Sequence, residues 1–280
     1  MIAYVNNHFV AEDQASIGVN DLSIQRGYGL FDYFRTSNHV PLFIDDYLDR
    51  FFNSAMLLRL QPPHSKKQIK VIINELIRLN NVADSGFRLL LTGGYSPDNF
   101  QPATPNFMIL QQPVYLPSPE KFQKGYSLIL HEFMRDVPYA KSINYLMSIY
   151  LLDEIRRHDA DDILYFKNNY ILELPRSNIF IVTKEKVVVT PSLNVLQGIT
   201  RRRVLEIAGK AYKTKERDVT VEELKNAAEV FITSTTKRIL PVTKIDGKPI
   251  GDGTPGVITT ALLKLYVKME ESILGNAVPA

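Results

Sequence analysis

Apolar and polar positions alternate over Ile2 to Val10 on either side of Asn6-Asn7, which predicts two short strands and a two-residue turn. Asn tolerates the left-handed backbone that such a turn demands. Phe31 to Arg35 and Val40 to Ile44 read as a further strand pair. Asp45-Asp46 then open a helix whose apolar positions Leu48, Phe51, Phe52, Ala55 and Met56 keep helical spacing. A second helix is predicted from Ser65 to Leu79. Phe87 to Thr92 and Asn106 to Gln111 read as buried strands around the Gly- and Pro-containing loop 93–105.

Beyond residue 112 the period breaks. Gln112 to Pro119 holds three prolines and no repeat, the composition of a linker. The chain therefore reads as an N-terminal α+β domain over 1–112, a linker over 113–120 and a C-terminal domain over 121–280. The second domain is predicted to contain a strand from Ser127 to His131, a helix after Lys141, and a strand-turn-strand unit from Asp162 to Val182 turning at Lys167-Asn168-Asn169. A strand over Val187 to Thr190, a helix over Thr200 to Ala211, a strand over Val230 to Thr233 and a terminal helix over Thr259 to Ile273 follow. Strands and helices are interspersed without a regular βαβ rhythm, which argues against a doubly wound nucleotide-binding sheet. No repeat or low-complexity tract is apparent.

Composition narrows the chemistry. The 280 residues are 45% hydrophobic and 22% charged, ordinary for a globular chain. Thirty-three basic against 30 acidic residues give a formal charge of +3, too small and dispersed for a nucleic-acid footprint. There is no cysteine, so disulfides, thiolate nucleophiles and zinc–thiolate sites are excluded. No basic stretch followed by an apolar run marks the N-terminus, and no segment approaches the roughly 20 apolar residues of a membrane span. The expectation is a cytoplasmic protein without nucleic-acid or membrane partners.

No HExxH, GxSxG or phosphate-loop lysine motif is present. The five histidines are scattered, and the acid pairs Asp45-Asp46 and Asp161-Asp162 suit helix dipoles and turns, so no metal site is expected. Pro138 to Leu146 places Lys141 between a predicted strand and helix, among small and apolar neighbours. Desolvation there would lower the ammonium pKa and release a neutral amine for Schiff-base chemistry, although a solvated lysine at a helix start fits the same pattern. Glu173 ends a predicted strand, where a carboxylate could keep a pyridine nitrogen protonated or simply face water. Leu196 to Arg201 forms a turn opening a helix, with amides and the Thr200 hydroxyl suited to a phosphate or to ordinary capping. The strand from Val230 runs into a second hydroxyl-rich turn, Thr233-Ser234-Thr235-Thr236.

In this order the segments resemble fold-type-IV pyridoxal-phosphate enzymes, namely branched-chain aminotransferases, D-amino-acid aminotransferases and aminodeoxychorismate lyases. The resemblance runs through Arg26-Gly27-Tyr28-Gly29-Leu30-Phe31-Asp32, Tyr47 to Phe51, Lys141 to Leu146, Glu173 to Phe180, Gly198 to Arg201, and Ser234-Thr235-Thr236 followed by Pro241-Val242. It implies a two-domain α+β fold: a small N-terminal α/β sandwich and a larger C-terminal, mixed β-barrel-like domain with helices. It implies pyridoxal 5′-phosphate as cofactor, joined to Lys141 as an internal aldimine in a ping-pong reaction, with Glu173 at the pyridine nitrogen. Arg50, Ile199, Thr200 and Thr235 would bind the phosphate, and Tyr145 or Arg135 the phenolic oxygen. A homodimer is also implied, with active sites between the domains that borrow residues from the partner chain.

Two departures bear on substrate. D-amino-acid aminotransferases resemble one another in an arginine and a histidine on the loop after the strand matching Phe87 to Thr92, where this chain reads Thr92-Gly93-Gly94-Tyr95-Ser96-Pro97-Asp98-Asn99. Branched-chain enzymes usually have a glycine-rich turn after the cofactor glutamate, where this chain reads Leu174-Pro175-Arg176-Ser177. Arg26, Arg88 and Arg176 remain as groups able to hold carboxylates. The reading is an aminotransferase of small D-amino acids, such as D-alanine or D-glutamate, with 2-oxoglutarate as acceptor. The alternatives are a branched-chain L-amino-acid aminotransferase and an aminodeoxychorismate lyase.

Overall fold

The computed structural model describes residues 1–276 and divides into two compact units. Met1–Val114 and Tyr139–Asn144 belong to the first, with the end of the terminal helix from Ile273; Tyr115–Pro138 and Tyr145–Ser272 form the second. Among the described residues no helix is long and apolar enough to cross a membrane.

The first unit contains β1 (Ile2–Val5), β2 (His8–Ala11), α1 (Leu22–Arg26), β3 (Gly29–Ser37), β4 (Val40–Pro41), α2 (Ile44–Leu57), α3 (Lys66–Asn80), β5 (Ser85–Thr92) and β6 (Phe107–Pro113). Its strands form one antiparallel sheet in the order β2-β1-β6-β5-β3-β4. Asn6 and Asn7 take positive φ, as the hairpin requires. The alternation along β3 sorts its side chains. Leu30, Asp32 and Phe34 turn to the face shared with α2, and Phe34 stacks on Phe87 at 5.2 Å and meets Tyr47. Buried Leu48, Phe51, Ile69, Ile73 and Leu76 complete that core, each side chain contributing about 2 kcal/mol by its burial. Ser65 caps α3 in a reciprocal box with Gln68. Met56, expected on the buried stripe of α2, is instead 68% exposed, and Tyr47 and Ser54 occupy buried positions in its place.

The second unit contains α4 (Pro119–Lys124), β7 (Tyr126–Glu132), α5 (Leu146–Tyr150), α6 (Leu152–Arg157), β8 (Asp162–Lys167), β9 (Tyr170–Ile171), β10 (Glu173–Leu174), β11 (Ser177–Val182), β12 (Val188–Thr190), α7 (Ile199–Ala208), β13 (Thr214–Glu216), α8 (Val221–Lys225), β14 (Glu229–Ser234), β15 (Arg238–Ile245), β16 (Lys248–Pro249) and α9 (Val257–Asn276). The sheet runs β13-β12-β11-β14-β15-β7-β8-β9, with β10 on β11 and β16 on β15. It is mixed, because β7 lies parallel to both β8 and β15 and β12 parallel to β13. Leu128, Leu164, Ile179, Ile181, Ile232 and Leu240 are buried in its core. Two expectations change here. The helix after Lys141 begins only at Leu146 and divides at Leu151 into α5 and α6. The single strand-turn-strand unit is two successive hairpins, turning at Asn168-Asn169 and at Pro175-Arg176.

Candidate active site

Lys141 is held by the first unit through its backbone. The end of β3 that β4 leaves uncovered takes up the 141–143 segment: the Phe31 amide donates to the Lys141 carbonyl at 2.9 Å, and the Ile143 amide to the Gly29 carbonyl at 3.1 Å. The Lys141 amide donates to Ser54 Oγ of α2 at 3.1 Å. Gly29 permits this approach, since a Cβ there would stand 2.9 Å from the Leu91 carbonyl oxygen and 3.1 Å from Ile143 Cδ1. The Lys141 ammonium lies 4.4 Å from the centroid of the Phe31 ring, and the Arg88 guanidinium lies 5.2 Å from the same centroid. Tyr33 and Arg35 share the β3 face of Phe31, and Arg88 stands opposite Tyr33 across the β3–β5 pairing. Burial raises the Tyr33 pKa, opposed by the charges of Arg88 and Arg35.

Arg50 lies on the other face. Its Nε and Nη2 donate to the two oxygens of buried Asp32 at 2.9 and 2.6 Å, a bidentate pair that fixes the guanidinium plane. Arg26 is exposed at the end of α1, with Nη1 on the Gln25 carbonyl at 2.8 Å. The structure thus brings Lys141 and Arg88 to one ring and places Arg50 and Arg26 elsewhere in the unit.

In the second unit, Glu173 is buried in the short strand β10. One oxygen accepts from Arg135 Nε at 2.8 Å and pairs with Nη2 at 2.6 Å; the other accepts from the Leu196 amide at 3.0 Å. Arg135, weighed in the sequence as a partner of a phenolic oxygen, is here a partner of Glu173. Tyr145 is half-buried at the N-terminal end of α5, and Arg176 is exposed in the two-residue turn between β10 and β11.

The N-terminus of α7 is built as a cradle. Gly198 caps it with no side-chain hydrogen bond. A Cβ on Gly198 would lie 2.0 Å from Asn178 Oδ1, while Asn178 Nδ2 donates to the Leu196 carbonyl at 2.8 Å. Asn178 pairs with Thr233 across β11 and β14, so the α7 turn is tied beside Thr233. Ile199 and Thr200 are buried in the first turn, and the hydroxyls of Thr200 and Thr233 are both buried without a hydrogen-bond partner among the described residues. Buried Arg201 braces the preceding loop through the Pro191 carbonyl and Gln197, and pairs with Glu216 of β13. Thr235 follows Ser234 in the turn between β14 and β15.

The family model for amino-transferase class IV matches residues 29–245. The chain is a class IV aminotransferase. It is 31% identical over 281 residues to a D-alanine aminotransferase of Bacillus licheniformis, a match covering 97% of this chain and 96% of that protein. Among solved structures it resembles the T.th. branched-chain amino acid aminotransferase with pyridoxamine 5′-phosphate, with a TM-score of 0.89, 26% identity and coverage of 97% and 94%. It also resembles a Thermoproteus uzoniensis branched-chain aminotransferase with norvaline, with a TM-score of 0.88, 25% identity and coverage of 98% and 95%.

The fold of this class IV aminotransferase is the two-domain α+β, fold-type-IV architecture, and its cofactor is pyridoxal phosphate. The residues present fit that group. Two orphaned buried hydroxyls and an uncapped helix N-terminus are the donors a phosphate requires, and a buried carboxylate suits a protonated ring nitrogen. Sequence reasoning assigned no site role to Tyr33, Arg35 or Asn178, and brought in Asp32 only within the N-terminal motif and Thr233 only within its hydroxyl-rich turn. A signal existed for Tyr33 and Arg35, which continue the period-2 face begun by Phe31, but nothing in a linear pattern shows that Asn178 reaches the α7 turn.

Proposed function

We propose that the aminotransferase takes small D-amino acids, D-alanine or D-glutamate, as donors and 2-oxoglutarate as acceptor. The observation that carries this reading is the Phe31 ring shared by the Lys141 ammonium and the Arg88 guanidinium. A guanidinium and an amine against one ring support a carboxylate-binding role for Arg88, and Arg35 and Tyr33, on the same strand face as Phe31, support a site suited to a dicarboxylate. The D-alanine aminotransferase of Bacillus licheniformis supports the choice of D-amino acids.

When bound, pyridoxal phosphate supplies the electron sink for charge developing at the substrate α-carbon. The protein's residues do the rest. Lys141 Nζ would anchor the cofactor and, once the substrate amine has displaced it, would accept the proton from the substrate Cα. Glu173, oriented by Arg135 and the Leu196 amide, would hold the ring nitrogen in its protonated form. Thr200, Ile199, Thr235 and Arg50 bind the phosphate, with Asp32 setting the plane of the Arg50 fork. Tyr145 donates to the phenolic oxygen, and Arg26, Arg88 and Arg176 hold substrate carboxylates. The working enzyme is a homodimer.

A branched-chain L-amino-acid aminotransferase is the second reading, favoured by the fold's likeness to the T.th. enzyme. Half-reactions of the holoenzyme with D-alanine, D-glutamate and L-leucine, followed by loss of the bound-cofactor absorbance, separate the two. Reaction with the D-enantiomers is expected, and discharge by L-leucine alone refutes our reading. Borohydride should fix cofactor covalently in the parent and not in Lys141→Ala; a labelled Lys141→Ala chain places the anchor elsewhere.

A further inference from the structure

Lys237, directly after the Thr235-Thr236 pair, is a buried lysine that the mechanism above does not use. It is 8% exposed, and its ammonium lies 3.2 Å from Ser177 Oγ, 3.4 Å from Asp162 Oδ2 and 5.7 Å from the centroid of the Tyr126 ring. Asp162 and Ser177 are buried as well, and the second Asp162 oxygen accepts from the Ile163 amide. Burial is the main cause holding the Lys237 pKa below the ordinary lysine value; Asp162 opposes it, and the charge of Arg176 adds to the depression. The Lys237 amide donates to Ser234 Oγ, closing the turn on itself. Burying an ion pair is a poor source of stability compared with apolar packing, so its presence here points to a demand for orientation.

We propose that Lys237 is a positioning residue for transamination. Bridging Ser177 and Asp162, it locks the Ser234–Lys237 turn, which presents Thr235 to the cofactor phosphate, against the Pro175-Arg176 turn, which presents Arg176 to the acceptor carboxylate. The inference rests on the roles proposed above for Thr235 and Arg176.

The test measures pyridoxal-phosphate affinity by absorbance titration of apoenzyme, and KM and kcat with 2-oxoglutarate and pyruvate. Lys237→Met should weaken cofactor binding about tenfold and raise KM for 2-oxoglutarate more than for pyruvate, with kcat at saturation changed by less than about twofold. Methionine leaves Asp162 buried without its cation, so Lys237→Met/Asp162→Asn should recover the parent melting temperature while keeping both defects. Cofactor affinity and KM equal to the parent's in that double variant overturn the proposal. If the methionine variants fail to fold, Ser177→Ala decides. It keeps the ion pair and should show both defects in smaller measure, and parental values overturn the clamp. Unchanged constants in both Thr235→Ala and Arg176→Ala overturn the roles of those two residues, and this inference with them.

Discussion

Thr200 and Thr233 each bury a hydroxyl that no group among the described residues satisfies, a condition that costs about 1–3 kcal/mol for a buried polar atom. Valine has nearly the same shape and no hydroxyl to strand. Thr200→Val and Thr233→Val should therefore leave the melting temperature of the apoenzyme unchanged or raise it. The same changes should weaken pyridoxal-phosphate binding by about tenfold each, the worth of a hydrogen bond to a charged group. Melting curves with and without cofactor read both effects, and cofactor affinity equal to the parent's in either variant removes that hydroxyl from the cradle. The contrast with Arg201 is instructive. Its guanidinium is equally buried, and although Nε has no partner among the described residues, Nη1 donates to Gln197 and Nη2 to the Pro191 carbonyl and Glu216, so its loss would be felt with or without cofactor.

At the level of elements, Lys141 owes its place to the edge of β3. A strand edge left unpaired invites another segment, and 141–143 accepts with hydrogen bonds at Phe31 and Gly29. Gly29→Ala would press a methyl onto the Leu91 carbonyl, a backbone atom that cannot turn aside. The variant should lose roughly 1–3 kcal/mol of stability by overpacking. Faster amide exchange should appear at Phe31 and Ile143 before the sheet opens globally; parental exchange at both amides would mean that the segment is held by something other than this edge. None of this pairing could be read from the chain, because the partners are more than a hundred residues apart. What was legible is local. The Asn6-Asn7 hairpin, the Ser65 start of α3, the strands β5, β6 and β11 and the amphipathic α2 follow from period and capping chemistry. The two-residue strands β9 and β10, the short β13 and α8, and the division at Leu151 fall below the length at which periodicity speaks. The site divides the same way. Lys141, Glu173 and the Gly198 turn stand out as motifs, whereas Arg135 is 38 residues from Glu173, and only the fold brings the pair together.

For the whole molecule, the proposed homodimer bears on where Arg26 would act. The helix α5 shows Leu146, Ile149 and Tyr150 at 76%, 66% and 76% exposure, three large apolar side chains at the i, i+3, i+4 spacing of one helix face. A second copy of the chain would cover such a face in the proposed homodimer. Arg26 is itself exposed at the end of α1, its guanidinium resting on a neighbouring carbonyl, and it does not join Lys141 and Arg88 at the Phe31 ring. An arginine so placed is suited to serve the active site of the other subunit. Mixed dimers test this. Arg26→Ala would remove the proposed carboxylate contact and Lys141→Ala the proposed anchoring amine, so each variant alone should transaminate 2-oxoglutarate poorly. When the two variants are refolded together, a contact in trans regenerates one complete site per heterodimer, with Lys141 from one chain and Arg26 from the other. Activity with 2-oxoglutarate should then rise well above that of either variant alone. A contact within one chain leaves every site defective, so a mixture no more active than its components would return Arg26 to its own subunit's site. Measured beside it, Ile149→Asp should shift the protein towards monomer in light scattering and abolish the recovery, because complementation requires that the two chains meet.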